Sequence, residues 1–282
     1  MSVHREVLQT AKNSWVPIIT LLTDYGPGSE HVGALHAVLA SRCPEADRID
    51  LAHDIPPGDI RFGSVALARL VPLAPPGVHL AVVDPGVGTA RRGIAASTPD
   101  GRFVVGPDNG LLGPACRALG AQQAVELSSP DHRREPVAPT FHGRDVFAPA
   151  AAHLASGGRL ADLGPAVPVG SIAQPELPAP RARRGAVEAI VLGVDRFGNL
   201  QLLASASDLA AAGLAADDAL TVGAGGAAPP ARLGRVYADV PRRELLVHVD
   251  SHGQVAVAVH GASAAQRLRA GPGDWITIAA TR

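Results

Sequence analysis

Short apolar runs broken by Asp, Gly and Pro organise the first half of the chain. Residues 16–22 are a short, mostly apolar run with β-branched residues, bounded by Pro17 and Asp24, that leads into Thr23-Asp24-Tyr25-Gly26. Such a run reads as a strand buried on both faces. Ser29 follows as an N-cap, and Val32, Leu35, Val38 and Leu39 recur at helical spacing. A weak strand at 47–51, a loop at 53–58 and a helix at 59–71 come next. A core strand follows at 78–83, apolar from Leu80 to Val83, and stops at Asp84-Pro85-Gly86. Pro lacks an N–H and Gly admits positive φ, so the strand must end there. The loop runs on through Gly88 to Arg91 and Arg92. Asp100-Gly101 between apolar runs at 94–97 and 103–105 predicts a hairpin. Helices are predicted at 111–119 and 146–154, with His142 just before the second.

The alternation of strands and helices as far as about residue 157 predicts an α/β domain with a parallel sheet. The Pro-rich, aperiodic stretch 165–184 reads as a linker. Beyond it the pattern changes to short β-rich runs at 187–194, 233–236, 245–249, 255–259 and 275–279. These predict a smaller all-β barrel or sandwich over 185–282. The first domain then spans 16–164, and residues 1–14 form a polar, loose arm. No internal repeat is present.

Composition narrows the function classes. The chain has 282 residues, is 46% hydrophobic and has a net charge of −1. It therefore has ample material for two cores and no electrostatic reason to bind nucleic acid or an anionic membrane. Aromatic residues are only 3%, too few for a base-stacking platform. Cys43 and Cys116 form neither a CxxC nor a zinc pattern, and read as reduced, buried thiols. No membrane-length apolar run or signal-peptide core is present, which predicts a soluble cytoplasmic protein.

In an open α/β sheet, ligands bind beyond the carboxyl ends of the strands. The polar loops there carry Asp24, His53-Asp54, Asp84 with Arg91, Asp108-Asn109 and His142. At a helix N-terminus His142 is biased to the neutral form, which can accept a proton. Carboxylates with histidines also suit a metal hydrolase. However, no HxH or HExxH spacing occurs, and Arg91 would compete with a cation. There is no GxSxG, GxxxxGK[ST] or GxGxxG. The alternatives at this point are a structural salt bridge, a metal hydrolase and an enzyme working through Asp, Arg and His.

Five segments, 22–26, 82–92, 106–112, 140–145 and 195–199, occur in the order found in the SAM hydroxide adenosyltransferases. The chain resembles this family of S-adenosylmethionine (SAM) hydrolases, which are related to the fluorinase and chlorinase, over roughly 16–280. The resemblance implies a Rossmann-like α/β domain followed by a β-barrel domain. It implies a homotrimer with SAM between one subunit's N-terminal domain and its neighbour's C-terminal domain. It also implies attack of water or hydroxide on C5′ of SAM, giving adenosine and L-methionine without a metal or other cofactor. It places the catalytic roles on Asp84, Arg91 and His142, and the ribose on Asp24. Asp108 and Asn109 join the substrate-binding set from the 106–112 segment. Asp195 would meet the methionine end, Phe197 the ring, Asn199 the adenine, and Ser251 the methionine carboxylate. The chain departs from the family at Ser29, where an Asp is common, and at His252. A halogenase of the same fold is the near alternative, and a non-catalytic nucleoside-binding protein the further one. The halogenases carry Tyr in place of Asp84 and Tyr-Ser in place of His142-Gly143. A carboxylate at Asp84 would repel a halide.

Overall fold

Four parallel strands form the centre of the first unit. In the computed structural model, which describes residues 16–281 apart from positions 217 and 227, they are β1 (Ile18–Thr23), β2 (Asp47–Ala52), β3 (Val78–Val82) and β5 (Phe103–Pro107), in the order β2-β1-β3-β5. Next to β5 the sheet turns antiparallel through β4 (Gly93–Ser97), β6 (Gln123–Glu126) and β7 (Ala166–Val167). The hairpin at Asp100-Gly101, where Gly101 has φ +83°, reverses the chain between β4 and β5. The sheet is therefore mixed, and its parallel half carries the candidate carboxylates. The expected arm at 1–14 lies outside the described residues.

Alternate residues of each strand face two separate cores, as a period of two requires. Leu21, Leu80, Val82 and Val105 pack with Leu35 and Leu39 of α1 (Glu30–Arg42). Leu22, Ala81, Val83 and Val104 pack on the other face with Leu67 of α2 (Ile60–Leu70) and Leu111, just before α3 (Gly113–Ala118). Ser29 caps α1 by accepting from the Val32 N–H, and Asp59 caps α2 by accepting from the Phe62 N–H. Before α4 (Ala148–Ala155) the chain makes one π-helical turn, Gly143–Phe147. Cys43 and Cys116 are free and buried; burial, reinforced by Asp108, pushes the Cys116 thiol up to about 12.

The chain divides at Pro175/Glu176. The Pro-rich stretch contributes to both units, since β7 extends the first sheet and β8 (Arg181–Arg183) pairs with β9 (Ala186–Val194) in the second. Seven strands of the second unit close into a barrel. They are β9, β10 (Leu200–Ser205), β14 (Gln254–Val259), β13 (Leu245–Val249), β12 (Pro230–Leu233), β11 (Ala219–Gly223) and β15 (Trp275–Ala280). Only β12 and β13 pair in parallel. The strand expected at 233–236 is displaced: β12 ends at Leu233, and a 3-10 turn follows at Tyr237–Asp239. Short helices α5 (Ala206–Ala211) and α6 (Ala264–Leu268) sit at the rim. No helix among the described residues is long and apolar enough to cross a membrane.

One buried residue makes the fold sensitive to acid. His79 on β3 is fully buried, and its Nδ1 is 2.9 Å from Thr20 Oγ1. Burial, aided by Arg102, lowers its pKa to about 4. The unfolded chain protonates this ring near pH 6.5, whereas the native state does so only near pH 4. Stability is therefore complete above pH 6.5 and falls as pH drops towards 4. Two and a half pK units correspond to about 3 kcal/mol. Denaturant titrations should show a decline of that order, absent in His79→Gln. An equally steep decline in that variant would assign the effect elsewhere.

Candidate active site

The loop after β3 brings three of the expected residues together. Arg91 Nε donates to Asp84 Oδ1 at 2.9 Å, and Arg91 Nη2 is paired with Asp84 Oδ2. Arg91 Nη2 also lies 2.9 Å from His142 Nδ1. The Arg91 guanidinium caps the Phe147 ring, 5.2 Å from its centroid. The Asp84 and Arg91 side chains are only 5% and 11% exposed, so this pair is much less screened than a surface one.

Because arginine carries only donors, His142 Nδ1 must be the acceptor, and the neutral ring keeps its proton on Nε2. Burial holds His142 below the ordinary histidine range, and the Arg91 charge lowers it further. His142 occupies the position just before the π turn, as expected, but its ring makes no capping bond to the backbone there; burial and Arg91, not the helix end, keep it neutral. Asp145, fully buried, anchors this segment. It accepts from Arg144 Nε and Nη2 at 2.7 Å and from the Ala138 N–H at 2.9 Å. Burial alone would raise its pKa; the bonds to Arg144 and Ala138 hold it below the carboxylate norm.

Asp84 and His142 face a cavity of about 380 Å³ together with Asp24, Tyr25, His31 and Phe141. Asp24 follows β1 directly, and its Oδ2 accepts from the Gly58 N–H at 2.8 Å. Tyr25, His31 and Phe141 form an aromatic cluster, with His31 and Phe141 centroids 4.9 Å apart. Burial and the charges of Asp24 and Asp84 raise the Tyr25 phenol, so it stays protonated. Sequence reasoning missed these three because their place in the wall comes from how α1 and the 140–143 loop meet. Their only signal was membership of the 22–26 and 140–145 segments and position in the first turn of α1.

Asp108 and Asn109 are not brought to this cavity. Asp108 accepts from Arg92 Nε at 3.0 Å and from the Ala173 N–H at 2.8 Å. Asn109 donates to Val83 O at 2.9 Å and accepts from the Leu111 N–H. His53 is buried and bonds Thr23 Oγ1 through Nδ1 at 2.8 Å.

In the second unit, the 195–199 loop is ordered by its own first residue. Asp195 Oδ1 accepts from the Phe197 and Asn199 N–H groups at 2.8 and 2.9 Å, and Oδ2 accepts from Asn199 Nδ2 at 2.8 Å. Asn199 is 5% exposed and Phe197 64%. Both line a cavity of about 600 Å³ with Tyr237, Val259, His260 and Ser263. Tyr237 and His260 were not anticipated there, since each is an isolated residue in the sequence. Ser251 sits at the opposite end of β14, on the exposed turn where the His252 N–H donates to Asp250 Oδ1 at 2.8 Å.

A mixed α/β unit whose parallel strands lead to Asp24 and Asp84, with Arg91 and His142 beside Asp84, is followed in the chain by a seven-stranded barrel. Residues 19–164 match the SAM hydroxide adenosyltransferase N-terminal domain and residues 189–277 its C-terminal domain; the chain belongs to this family. It is 49% identical to a protein of Salinispora tropica named (R)-S-adenosyl-L-methionine hydrolase, over 94% of this chain and 98% of that one. It is 28% identical to a fluorinase of Nocardia brasiliensis, over 93% and 97%. Its fold matches the crystal structure of an uncharacterised conserved protein from Thermotoga maritima with a TM-score of 0.86 and 35% identity, over 93% and 99%.

Gly143 leaves no room for a side chain. A β-carbon there would collide with the Tyr25 hydroxyl. Gly143→Ser is therefore expected to displace Tyr25 or the π turn, at about 1–3 kcal/mol, with loss of turnover and no gain of halide-dependent product. A stable variant that forms 5′-chloro- or 5′-fluoroadenosine from SAM would contradict this.

Proposed function

We propose that this chain hydrolyses S-adenosyl-L-methionine, with water attacking C5′ to release adenosine and L-methionine. The observation that carries this reading is the single guanidinium that joins Asp84 to His142 at the wall of the cavity that Asp24 also lines. Asp24 grips the vicinal ribose hydroxyls. The Asp84 carboxylate accepts a hydrogen bond from the attacking water and takes its proton as C5′–O forms. His142, neutral and carrying its proton on Nε2, donates to the water oxygen and fixes the attack angle. Arg91 holds both partners and acts through them. The C5′–S bond breaks as C5′–O forms, and the electron pair stays on sulfur. A sulfonium becomes a neutral thioether, so the leaving group needs no acid and no step calls for a metal or redox cofactor.

Asp195, Phe197, Asn199 and Ser251 are assigned to the adenine and methionine ends, supplied by the C-terminal domain of a second copy in a homotrimer. Asp108 and Asn109, with their polar atoms committed inside the fold, serve as scaffold in this reading. A halogenase is disfavoured by the charge at Asp84 and the lack of room at Gly143. A mere nucleoside-binding protein would have no use for the Asp84–Arg91–His142 set.

Incubation of chelator-treated protein with SAM in ¹⁸O-water, followed by chromatography and mass spectrometry, tests the reading. The expected products are unlabelled methionine and adenosine with ¹⁸O in the 5′-hydroxyl. Label in the methionine carboxylate, no adenosine, or activity that returns only with zinc or magnesium would overturn it.

A further inference from the structure

A second group of chemically active side chains lies away from the cavity wall. His36 projects from α1, Asp50 from β2, and His53 follows the end of β2. His36 Nε2 is 2.9 Å from Asp50 Oδ1, and His53 Nε2 is 3.0 Å from the same oxygen. The three donor atoms all lie within 4.8 Å of one another, the only such group of three His, Cys, Asp or Glu among the described residues. None of the three lines the 380 Å³ cavity.

His53 shows what the group is for. The ring is 8% exposed, and its Nε2 approaches Asp50 Oδ1 at 3.0 Å without the alignment of a regular hydrogen bond. A buried polar atom without a well-aligned partner is costly and calls for an explanation. The other ring nitrogen is held by Thr23 Oγ1 at 2.8 Å, and that hydroxyl also accepts from the Tyr25 N–H at 3.2 Å. Thr23 Oγ1 can accept from an Nδ1–H, and in that tautomer Nε2 turns a lone pair into the space it shares with Asp50 and His36; an ion there would replace the proton that Nε2 otherwise directs at the carboxylate. An imidazole fixed through one nitrogen so that the other points at a ligand position is the usual setting of a metal-binding histidine.

We infer that His36, Asp50 and His53 form a binding site for a divalent transition ion of the zinc class. Two imidazoles and one carboxylate suit Zn²⁺, Co²⁺ or Ni²⁺, whereas Ca²⁺ and Mg²⁺ prefer all-oxygen shells. Tetrahedral ligands at ~2.0–2.1 Å from zinc stand roughly 3.3 Å apart, so small side-chain adjustments bring the present spacing into range. The Asp50 and His36 side chains are 46% and 33% exposed, which leaves an open side for a water ligand and a path for the ion. The site joins α1, β2 and the chain entering the 53–58 loop. Its role is to brace that corner; it supplies nothing to the proposed hydrolysis and stands or falls independently of it.

The full chain, stripped with chelator and dialysed, is titrated with Zn²⁺ by calorimetry and with Co²⁺ by visible absorption. One ion per chain is expected, with a cobalt spectrum of low coordination number. Zn²⁺ at about a hundredfold excess over Kd should raise the Tm by on the order of 5 °C, and Mg²⁺ should not. His36→Ala and Asp50→Asn should each weaken binding at least ~10-fold and abolish the Tm rise, with kcat on SAM unchanged in His36→Ala. His153→Ala is the control, because His153 stacks on His132 and lies 3.5 Å from Asp162, a second imidazole–carboxylate grouping. Absence of stoichiometric binding, binding that survives both His36→Ala and Asp50→Asn, or binding lost in His153→Ala alone would overturn the inference. Asp50→Asn, on an exposed side chain, keeps the test open if His36→Ala fails to fold.

Discussion

Asp84→Asn is expected to lower turnover by about 10²–10⁴-fold, the usual worth of a positioned general base. The amide keeps the size of the side chain but cannot take a proton from water. It also turns an N–H₂ towards Arg91, which at present fills both carboxylate oxygens. SAM binding should change little, because Asp24 and the second-unit residues still hold the ligand. Turnover and Kd must therefore be measured separately, with Tm as a check on the broken pair. A variant with near-normal turnover and weakened SAM binding would make Asp84 a binding residue and end the proposed mechanism.

Arg91→Met should be nearly as damaging, for a different reason. It leaves the Asp84 carboxylate buried and unpaired, a loss of about 3–5 kcal/mol of stability in comparable pairs. It also releases His142, and small misplacements of reacting groups cost on the order of 10²-fold in rate. The pH profile distinguishes positioning from direct contact with substrate. In the wild type, burial and then Arg91 depress His142, so the acid limb of kcat/KM lies below the ordinary histidine value. Without the neighbouring cation that limb should move to higher pH. Arg91→Lys keeps the charge and should hold the limb low, while recovering only part of kcat. An unmoved limb with a raised KM alone would mean that Arg91 touches the substrate.

The strand ends were legible because punctuation marks them. Pro85 and Gly86 end an apolar run, and no helix or strand can continue through Asp-Pro-Gly. The Asp–Arg pairing was legible as well, since a seven-residue loop closed by arginine returns to its start. The destination of each side chain was not. Asp24, Asp84 and Asp108 all follow apolar strands, yet only the first two face the cavity. Asp108 comes after a hairpin, between two separate chain segments that supply Arg92 and the Ala173 N–H, 16 residues before it and 65 after it in sequence. β10 shows a readable alternation, with Leu200, Leu202 and Ala204 buried. The adjoining 195–199 loop motif masked it. β12 was misplaced because the run at 233–236 includes Gly234, where the strand in fact gives way to the turn before Tyr237.

The parallel pairing of β1 with β3 has a consequence for the chemistry. Thr23 stands opposite Val82, so Asp24 and Asp84 leave neighbouring strands one and two residues beyond a shared backbone register. Strands hydrogen-bonded in this way lie about 4.8 Å apart whatever their side chains. In the proposed reaction one carboxylate holds the sugar and the other the attacking water. The sheet therefore acts as a ruler, setting the offset between grip and attack by peptide geometry. Volume-conserving exchanges of the apolar core side chains along either strand should therefore leave the offset between Asp24 and Asp84 in place.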